Sequence, residues 1–209
     1  MTATLDLDTP HGTARARLHR VDEPRAALVL GHGAGGGVGA PDLVVAAEAA
    51  GAEGIAVALV EQPYLVAGRR SPAPANQLDA AWTAGVEQLV ADELRGLALL
   101  VGGRSLGARV ACRTSASTGA IGVVCLAFPL QPPRRKSAAS APPSRLEELE
   151  RVAVPTLVVQ GRGDPFGIPP PGEGRTVVQV AGNHSLRSDL PAVADAVRAW
   201  LGERLASLG

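Results

Sequence analysis

The sequence has few aromatic residues, few cysteines and no excess of either charge. Aromatic residues make up 2% of its 209 positions, and 20 basic residues balance 20 acidic ones. Nucleic-acid binding relies on cationic surfaces and aromatic stacking, so we expect no nucleic-acid partner. Two cysteines are too few for a disulfide framework. No apolar run approaches the roughly 20 residues that span a bilayer, so we expect no membrane partner.

The start of the chain also lacks the features of a secretory signal. Residues 1–6 have neither a basic start nor an apolar middle, which together with the cysteine usage predicts a cytoplasmic protein. A length of 209 residues fits a single domain, which we expect to cover residues 1–209. His, Cys, Asp and Glu show no metal-ligand spacing, so the sequence predicts neither a metal nor another cofactor. It gives no indication of protein partners.

Short apolar runs alternate with helical patterns along most of the chain. After a predicted antiparallel hairpin over residues 2–21, strands are predicted at 25–30, 55–60, 97–101, 121–128, 154–159 and 176–180. Helices are predicted at 41–51, 75–94, 106–115 and 189–206, with a mobile loop at 129–143. This alternation predicts an α/β fold, a mostly parallel twisted sheet with helices on both faces.

One apolar run leads directly into the pattern Gly-x-Ser-x-Gly at residues 103–107. A strand before it and a helix after it predict a sharp turn, with the Ser105 hydroxyl projecting from the sheet edge. Ser105 is therefore a candidate nucleophile. In a chain with 25 glycines the motif can also arise by chance, so its context must decide.

Two further reactive residues, Asp164 and His184, each follow a later predicted strand. The carboxyl ends of parallel strands meet at one edge of the sheet, where ligands bind in such folds. A serine nucleophile needs a base, and the base needs an acid that orients it. We therefore predict that His184 is the general base for Ser105 and that Asp164 orients it. Asp189 is the competing acid, but it follows His184 closely and fits the start of the last helix.

An acyl-transfer site also needs N–H donors for the oxyanion. The predicted turn offers the amide of Leu106 at a helix N-terminus, and the glycine-rich loop 31–37 offers a second, for which we choose Ala34. We expect His32 to brace this loop by hydrogen bonds. The loop lacks the Lys-Ser/Thr ending of a P-loop and a complete dinucleotide motif, so nucleotide binding is not predicted.

Several segments together resemble a known family. Residues 30–36, 62–64, 68–70, 102–109, 128–130, 132–133, 159–161, 164–167 and 182–186 carry the resemblance, in order, across about residues 25–190. They are similar to small lidless α/β-hydrolases related to dienelactone hydrolase, and most to a branch whose mammalian members are a testis-expressed protein and a histone acetyltransferase complex subunit. The resemblance implies an α/β-hydrolase fold without a large lid. It also implies a Ser105, Asp164 and His184 triad, with Ala34 and Leu106 at the oxyanion.

The sequence therefore predicts a serine hydrolase that cleaves a small ester or thioester, its small-molecule acyl substrate, through an acyl-enzyme. The candidate substrate-binding residues are His32, Tyr64, Arg69 and Arg70. The two arginines, with Arg134 and Arg135, would suit an anionic substrate, although neighbouring arginines in loops are usually solvated. Two alternatives stay open: a catalytically silent binding or scaffold protein on the same fold, and an acyltransferase that uses the same site.

Overall fold

The computed structural model describes residues 2–132 and 142–208. The strands in these residues are β1 (Thr2–Thr9), β2 (Gly12–His19), β3 (Ala26–Gly31), β4 (Ile55–Glu61), β5 (Leu99–Arg104), β6 (Gly122–Leu126), β7 (Thr156–Gly161) and β8 (Arg175–Val180). The helices are α1 (Pro41–Ala52), α2 (Pro63–Val66), α3 (Ala75–Ala91), α4 (Leu106–Thr114), α5 (Leu146–Glu150) and α6 (Leu190–Ala206). Arg134, Arg135 and most of the predicted mobile loop lie outside the described residues.

The strands form one eight-stranded sheet in the order β1-β2-β4-β3-β5-β6-β7-β8. Strand β2 pairs antiparallel with β1 and with β4, and all other pairs are parallel. The predicted mostly parallel sheet with an amino-terminal antiparallel hairpin is therefore confirmed. None of the helices within the described residues is long and apolar enough to cross a bilayer.

The central strands are apolar throughout because both faces of the sheet are covered. All six residues of β3 are buried, and successive side chains enter different cores. Val29 packs on one face with Trp82 of α3, whereas Leu28 packs on the other with Leu43 of α1 and Trp200 of α6. Burying one large apolar side chain contributes about 1.5 to 3 kcal/mol, so these two layers hold the sheet between the helices.

The register of the parallel strands brings distant loops together at one edge. Gly31 at the end of β3 pairs with Gly103 of β5, so the glycine-rich loop lies beside the turn that holds Ser105. Gly161 at the end of β7 pairs with Val180 of β8, so the loops that follow these strands are also neighbours. The sheet thus places three separate parts of the sequence at one site.

The short helix α2 is absent from the sequence prediction. It has four residues, with Pro63 in its first turn. One turn is too short to show the 3.6-residue periodicity from which helices are predicted. The other element boundaries differ from the prediction by a few residues, as at α3, which ends at Ala91 instead of residue 94.

Candidate active site

Ser105 occupies the turn between β5 and α4 in a strained backbone conformation. Its φ is 51° and its ψ is −104°, a region that residues with a side chain rarely adopt and that costs about 1 to 3 kcal/mol. The Ser105 amide donates to the carbonyl of Leu126 at 2.9 Å, and its carbonyl accepts from the Arg109 amide at 3.2 Å. The neighbouring strand and helix therefore hold the turn in place.

Both glycines of the motif are required by the close approach of β3. A Cβ on Gly107 would lie 2.4 Å from the carbonyl oxygen of Gly31, and a Cβ on Gly103 would lie 2.5 Å from the same atom. Real Cβ atoms essentially never come this close to a backbone oxygen. The turn thus packs directly against the start of the glycine-rich loop.

The structure brings Ser105, His184 and Asp164 together in a hydrogen-bonded chain. The Ser105 hydroxyl oxygen lies 2.9 Å from His184 Nε2, and His184 Nδ1 lies 2.8 Å from Asp164 Oδ2. An ionised carboxylate only accepts, so in the neutral ring Nδ1 carries the hydrogen. This tautomer leaves Nε2 free to accept the proton of the serine hydroxyl.

Asp164 is buried, and its two oxygens are oriented by separate donors. Gln160 Nε2 donates to Oδ2 at 2.7 Å, and the amide of Phe166 donates to Oδ1 at 2.9 Å. The Phe166 ring also packs edge-on against the His184 ring, with centroids 4.5 Å apart. The carboxylate and the imidazole are therefore both fixed in direction.

Arg104 positions the histidine loop from the other side. Its Nη2 donates to the His184 carbonyl at 3.0 Å, and its Nε donates to Asp42 Oδ2 of α1 at 3.0 Å. Burial raises the pKa of Asp42, and the Arg104 charge opposes that rise. A Cβ on Gly33 would lie 2.6 Å from Arg104 Nη1, so the loop leaves room for this guanidinium. No sequence pattern singles out Arg104, because it occupies a variable position of the motif.

The loop after β3 is braced by α2 and by His32. His32 Nδ1 donates to the Gly33 carbonyl at 2.8 Å, and its Nε2 accepts from the Gln62 amide at 3.0 Å. Burial lowers the pKa of His32, although the hydrogen bond to Gly33 raises it in part. The Tyr64 hydroxyl donates to the Ala34 carbonyl at 3.3 Å. Both side chains are thus engaged with the loop and buried.

A cleft of about 320 Å³ opens over the serine. Ser105, His184, Ala34 and Leu106 line it together with Gly35, Arg104, Arg109, Pro129, Arg145 and Phe166. Within residues 2–132 and 142–208, no protein acceptor takes the amide hydrogen of Ala34 or of Leu106. Their predicted role as oxyanion donors stays a prediction. Among the same residues, no cluster of three His, Cys, Asp or Glu could hold a metal.

The two arginines predicted to contact substrate are elsewhere. Arg69 lines a separate cavity of about 400 Å³ beside α2, and Arg70 is exposed. Among the described residues, the arginines that line the cleft are instead Arg104, Arg109 and Arg145. The sequence does not show that Arg109, on α4, and Arg145, directly before α5, face this cleft, because that depends on how the two helices pack.

A mostly parallel sheet with a serine at the turn after β5, and with an aspartate and a histidine after β7 and β8, is the arrangement of an α/β-hydrolase. A family model described as an alpha/beta hydrolase domain matches residues 24–188, and the chain belongs to this family. No curated protein matches the chain in a sequence comparison.

Solved structures of the same fold superpose over nearly the whole chain. The lidless serine hydrolase XC6422 from Xanthomonas campestris has a TM-score of 0.75 at 19% identity, covering 97% of this chain and 94% of that chain. Est1E from Butyrivibrio proteoclasticus with ferulic acid bound has a TM-score of 0.77 at 15% identity, covering 97% of this chain and 99% of that chain. Dienelactone hydrolase from Anabaena variabilis ATCC 29413 has a TM-score of 0.74 at 15% identity, covering 97% of each chain. The predicted α/β-hydrolase fold is confirmed, whereas the testis-expressed branch stays a prediction.

Proposed function

We propose that the protein is a serine hydrolase that cleaves a small carboxylic ester or thioester through an acyl-enzyme on Ser105. The observation that carries this proposal is the chain of hydrogen bonds from Ser105 Oγ to His184 Nε2 and from His184 Nδ1 to Asp164, at 2.9 and 2.8 Å. The strained backbone of Ser105 supports it further, since strain of this kind clusters at functional sites.

In the first half-reaction, Ser105 Oγ attacks the carbonyl carbon of the substrate while its proton moves to His184 Nε2. Asp164 stabilises the imidazolium that forms and holds its orientation. The substrate oxygen becomes negatively charged and faces the free amides of Leu106 and Ala34. When the tetrahedral intermediate breaks down, the imidazolium gives its proton to the departing alcohol or thiol, and the acyl group remains on Ser105.

In the second half-reaction, water attacks the acyl carbon while His184 Nε2 takes its proton. The same two amides bind the second oxyanion. The bond to Ser105 Oγ then breaks, the serine recovers the proton from His184, and the carboxylic acid leaves. The volume of the cleft, about 320 Å³, favours a small substrate.

Labelling with a fluorophosphonate probe tests this proposal. We expect the purified protein to take up one probe on the peptide that contains Ser105, and Ser105→Ala to take up none. Mass spectrometry of the digested protein locates the adduct, and a thermal melt shows that the variant is folded. A folded wild-type protein that is neither labelled nor active on any acyl ester would overturn the proposal in favour of the scaffold alternative.

The acyltransferase alternative differs only in the acceptor that reaches the acyl-enzyme. A hydrolase releases acid and alcohol in equal amounts from an ester substrate, even when a second alcohol is added. An acyltransferase instead forms a new ester with the added alcohol. Product analysis by chromatography therefore separates the two activities, and predominant formation of the new ester would contradict the hydrolase assignment.

Removing the Tyr64 hydroxyl tests whether α2 positions the proposed oxyanion loop. Tyr64→Phe deletes the hydrogen bond to the Ala34 carbonyl, which has a length of 3.3 Å. One such bond contributes about 1 kcal/mol, so we expect kcat to fall about fivefold with KM nearly unchanged. Steady-state kinetics on a small ester measures this. An unchanged kcat with a lower free energy of unfolding would limit Tyr64 to a structural role.

A further inference from the structure

Within the part of the chain that the structure describes, Arg145 differs from the other arginines on the cleft in forming no ion pair with an acidic residue. Arg104 pairs with Asp42, and Arg109 makes two hydrogen bonds to Glu148, at 2.9 and 2.6 Å. Among the described residues, the Arg145 side chain has one hydrogen bond, from Nη1 to the Pro129 carbonyl at 3.0 Å. A guanidinium has five N–H donors, so most of those of Arg145 are unused by the described residues.

The acidic group that acts on Arg145, Glu148, is already bound by other arginines. Glu148 binds Arg109 and also lies 3.5 Å from Arg113, while Arg113 binds Asp79 at 2.5 Å. Arg109 and Arg113 therefore already pair with these two carboxylates. Among residues 2–132 and 142–208, no carboxylate forms an ion pair with Arg145. The intervening stretch 133–141 contains two arginines and a lysine but no acidic residue, so it supplies none either.

The surroundings of Arg145 leave its positive charge poorly compensated. Burial lowers the pKa of the Arg145 guanidinium, Arg109 and Arg113 lower it further, and Glu148 opposes the shift. An arginine nevertheless stays protonated at neutral pH. A partly buried cation beside like charges is stabilised by any anion that enters the cleft, and a guanidinium binds a carboxylate with two parallel hydrogen bonds.

We propose that Arg145 determines substrate specificity by binding a carboxylate group of the substrate, so that the enzyme acts on esters or thioesters that carry a second, free carboxylate. The proposal rests on the hydrolase function argued above. It assigns the binding of the anion to a residue that lines the same cleft as Ser105 and His184, in place of the loop arginines Arg69 and Arg70. A carboxylate held at Arg145 would orient the substrate while its ester carbonyl lies at Ser105.

Two pairs of esters test the proposal, each differing in one free carboxylate. p-Nitrophenyl hemisuccinate and p-nitrophenyl butyrate place the difference on the acyl side. 4-Carboxyphenyl butyrate and phenyl butyrate place it on the leaving group. We expect the wild-type enzyme to prefer the anionic member of at least one pair. Arg145→Ala should lower kcat/KM for that ester by about 10- to 100-fold, as expected for a hydrogen bond between charged groups, and change the neutral ester by less than about twofold.

Arg151→Ala is the matched control. Arg145 and Arg151 flank the two ends of α5, and Arg151 is exposed and pairs with the exposed Glu147. The control removes the same charge from the other end of the helix. We expect it to leave the preference for the anionic member of each pair unchanged. Arg145→Lys should restore part of the preference, because it retains the charge but loses the paired hydrogen bonds. The preference should also weaken when NaCl is raised from 50 to 500 mM.

The outcomes separate this proposal from the proposed function. If Arg145→Ala lowers both members of a pair equally, or changes neither pair, carboxylate recognition is wrong while the hydrolase function stands. If wild-type protein shows no turnover and no labelling of Ser105, the proposed function is wrong. Binding then decides the role of Arg145: calorimetric titration of monoethyl succinate into Ser105→Ala should detect binding that is lost in Ser105→Ala with Arg145→Ala. Equal binding to both proteins, or no binding to either, would overturn it.

Discussion

Replacing His184 by alanine is expected to lower kcat/KM for a small ester by about 10⁴- to 10⁶-fold, because Ser105 then has no base within hydrogen-bond reach. The side chain is partly exposed, and the contact of Arg104 is to the backbone carbonyl of His184, so the substitution should leave the loop in place. Stopped-time assays at high enzyme concentration measure the residual rate, and circular dichroism checks the fold. Retention of more than about a tenth of the wild-type rate would exclude His184 as the base.

The role of Asp164 follows from a double-mutant cycle with His184. Asp164→Ala alone should lower kcat by about 10³- to 10⁴-fold, because the imidazole loses its orientation and the partner of its positive charge. In the His184→Ala background the same change should cost less than about threefold, since Asp164 acts only through the ring it contacts. Equal losses in both backgrounds would show that Asp164 acts on the reaction by another route.

Asp189 provides the control for this cycle. It is the competing acid in the sequence, and the structure places it at the start of α6, where its side chain accepts from the Ala192 amide at 3.2 Å. Asp189→Ala should therefore lower the free energy of unfolding by about 1 kcal/mol, the usual cost of losing a helix cap, and leave kcat nearly unchanged. A large loss of kcat here would make Asp189 a rival for the role given to Asp164.

Much of the candidate site could be predicted because a parallel sheet brings residues that follow different strands together at one edge. The buried strands are continuous apolar runs, since helices cover both faces of the sheet, and such runs are visible in the sequence. Ser105, Asp164 and His184 each follow one of these strands, so the rule that parallel strands end at one edge was enough to group them. In the structure, hydrogen bonds connect these three side chains.

The rest could not be predicted because it depends on packing between elements that are distant in the sequence. Arg104 contacts α1 and the histidine loop, and Arg145 reaches the cleft because α5 is held to α4 by Glu148 and Arg109. No local pattern distinguishes these arginines from Arg69 and Arg70, which lie in loops and looked equally suitable. Tertiary contacts thus determine which charged side chains reach the cleft. The reactive residues can be recognised in the sequence because each follows a buried strand.

Substituting Gly107 by alanine is expected to destabilise the protein by at least about 3 kcal/mol, although alanine is the better helix former by about 1 kcal/mol. The added Cβ would lie 2.4 and 2.5 Å from the carbonyl oxygen and carbon of Gly31 and 2.9 Å from the carbonyl oxygen of His32. All three contacts are with backbone atoms, so relief requires β3 to separate from α4. Urea unfolding measures the change in free energy.

Gly51 in α1 isolates the contribution of this close approach. It is also a helical glycine, and nothing lies within 4 Å of the Cβ that Gly51→Ala would add. There the higher helix propensity of alanine acts alone, so stability should rise by about 0.5 to 1 kcal/mol. Opposite signs at two helical glycines would show that contact with the end of β3, and not helix propensity, requires a glycine two residues after Ser105. If Gly107→Ala were as stable as the wild type, the tight packing of the serine turn against the glycine-rich loop would be wrong, and with it the placement of the Ala34 amide beside Ser105.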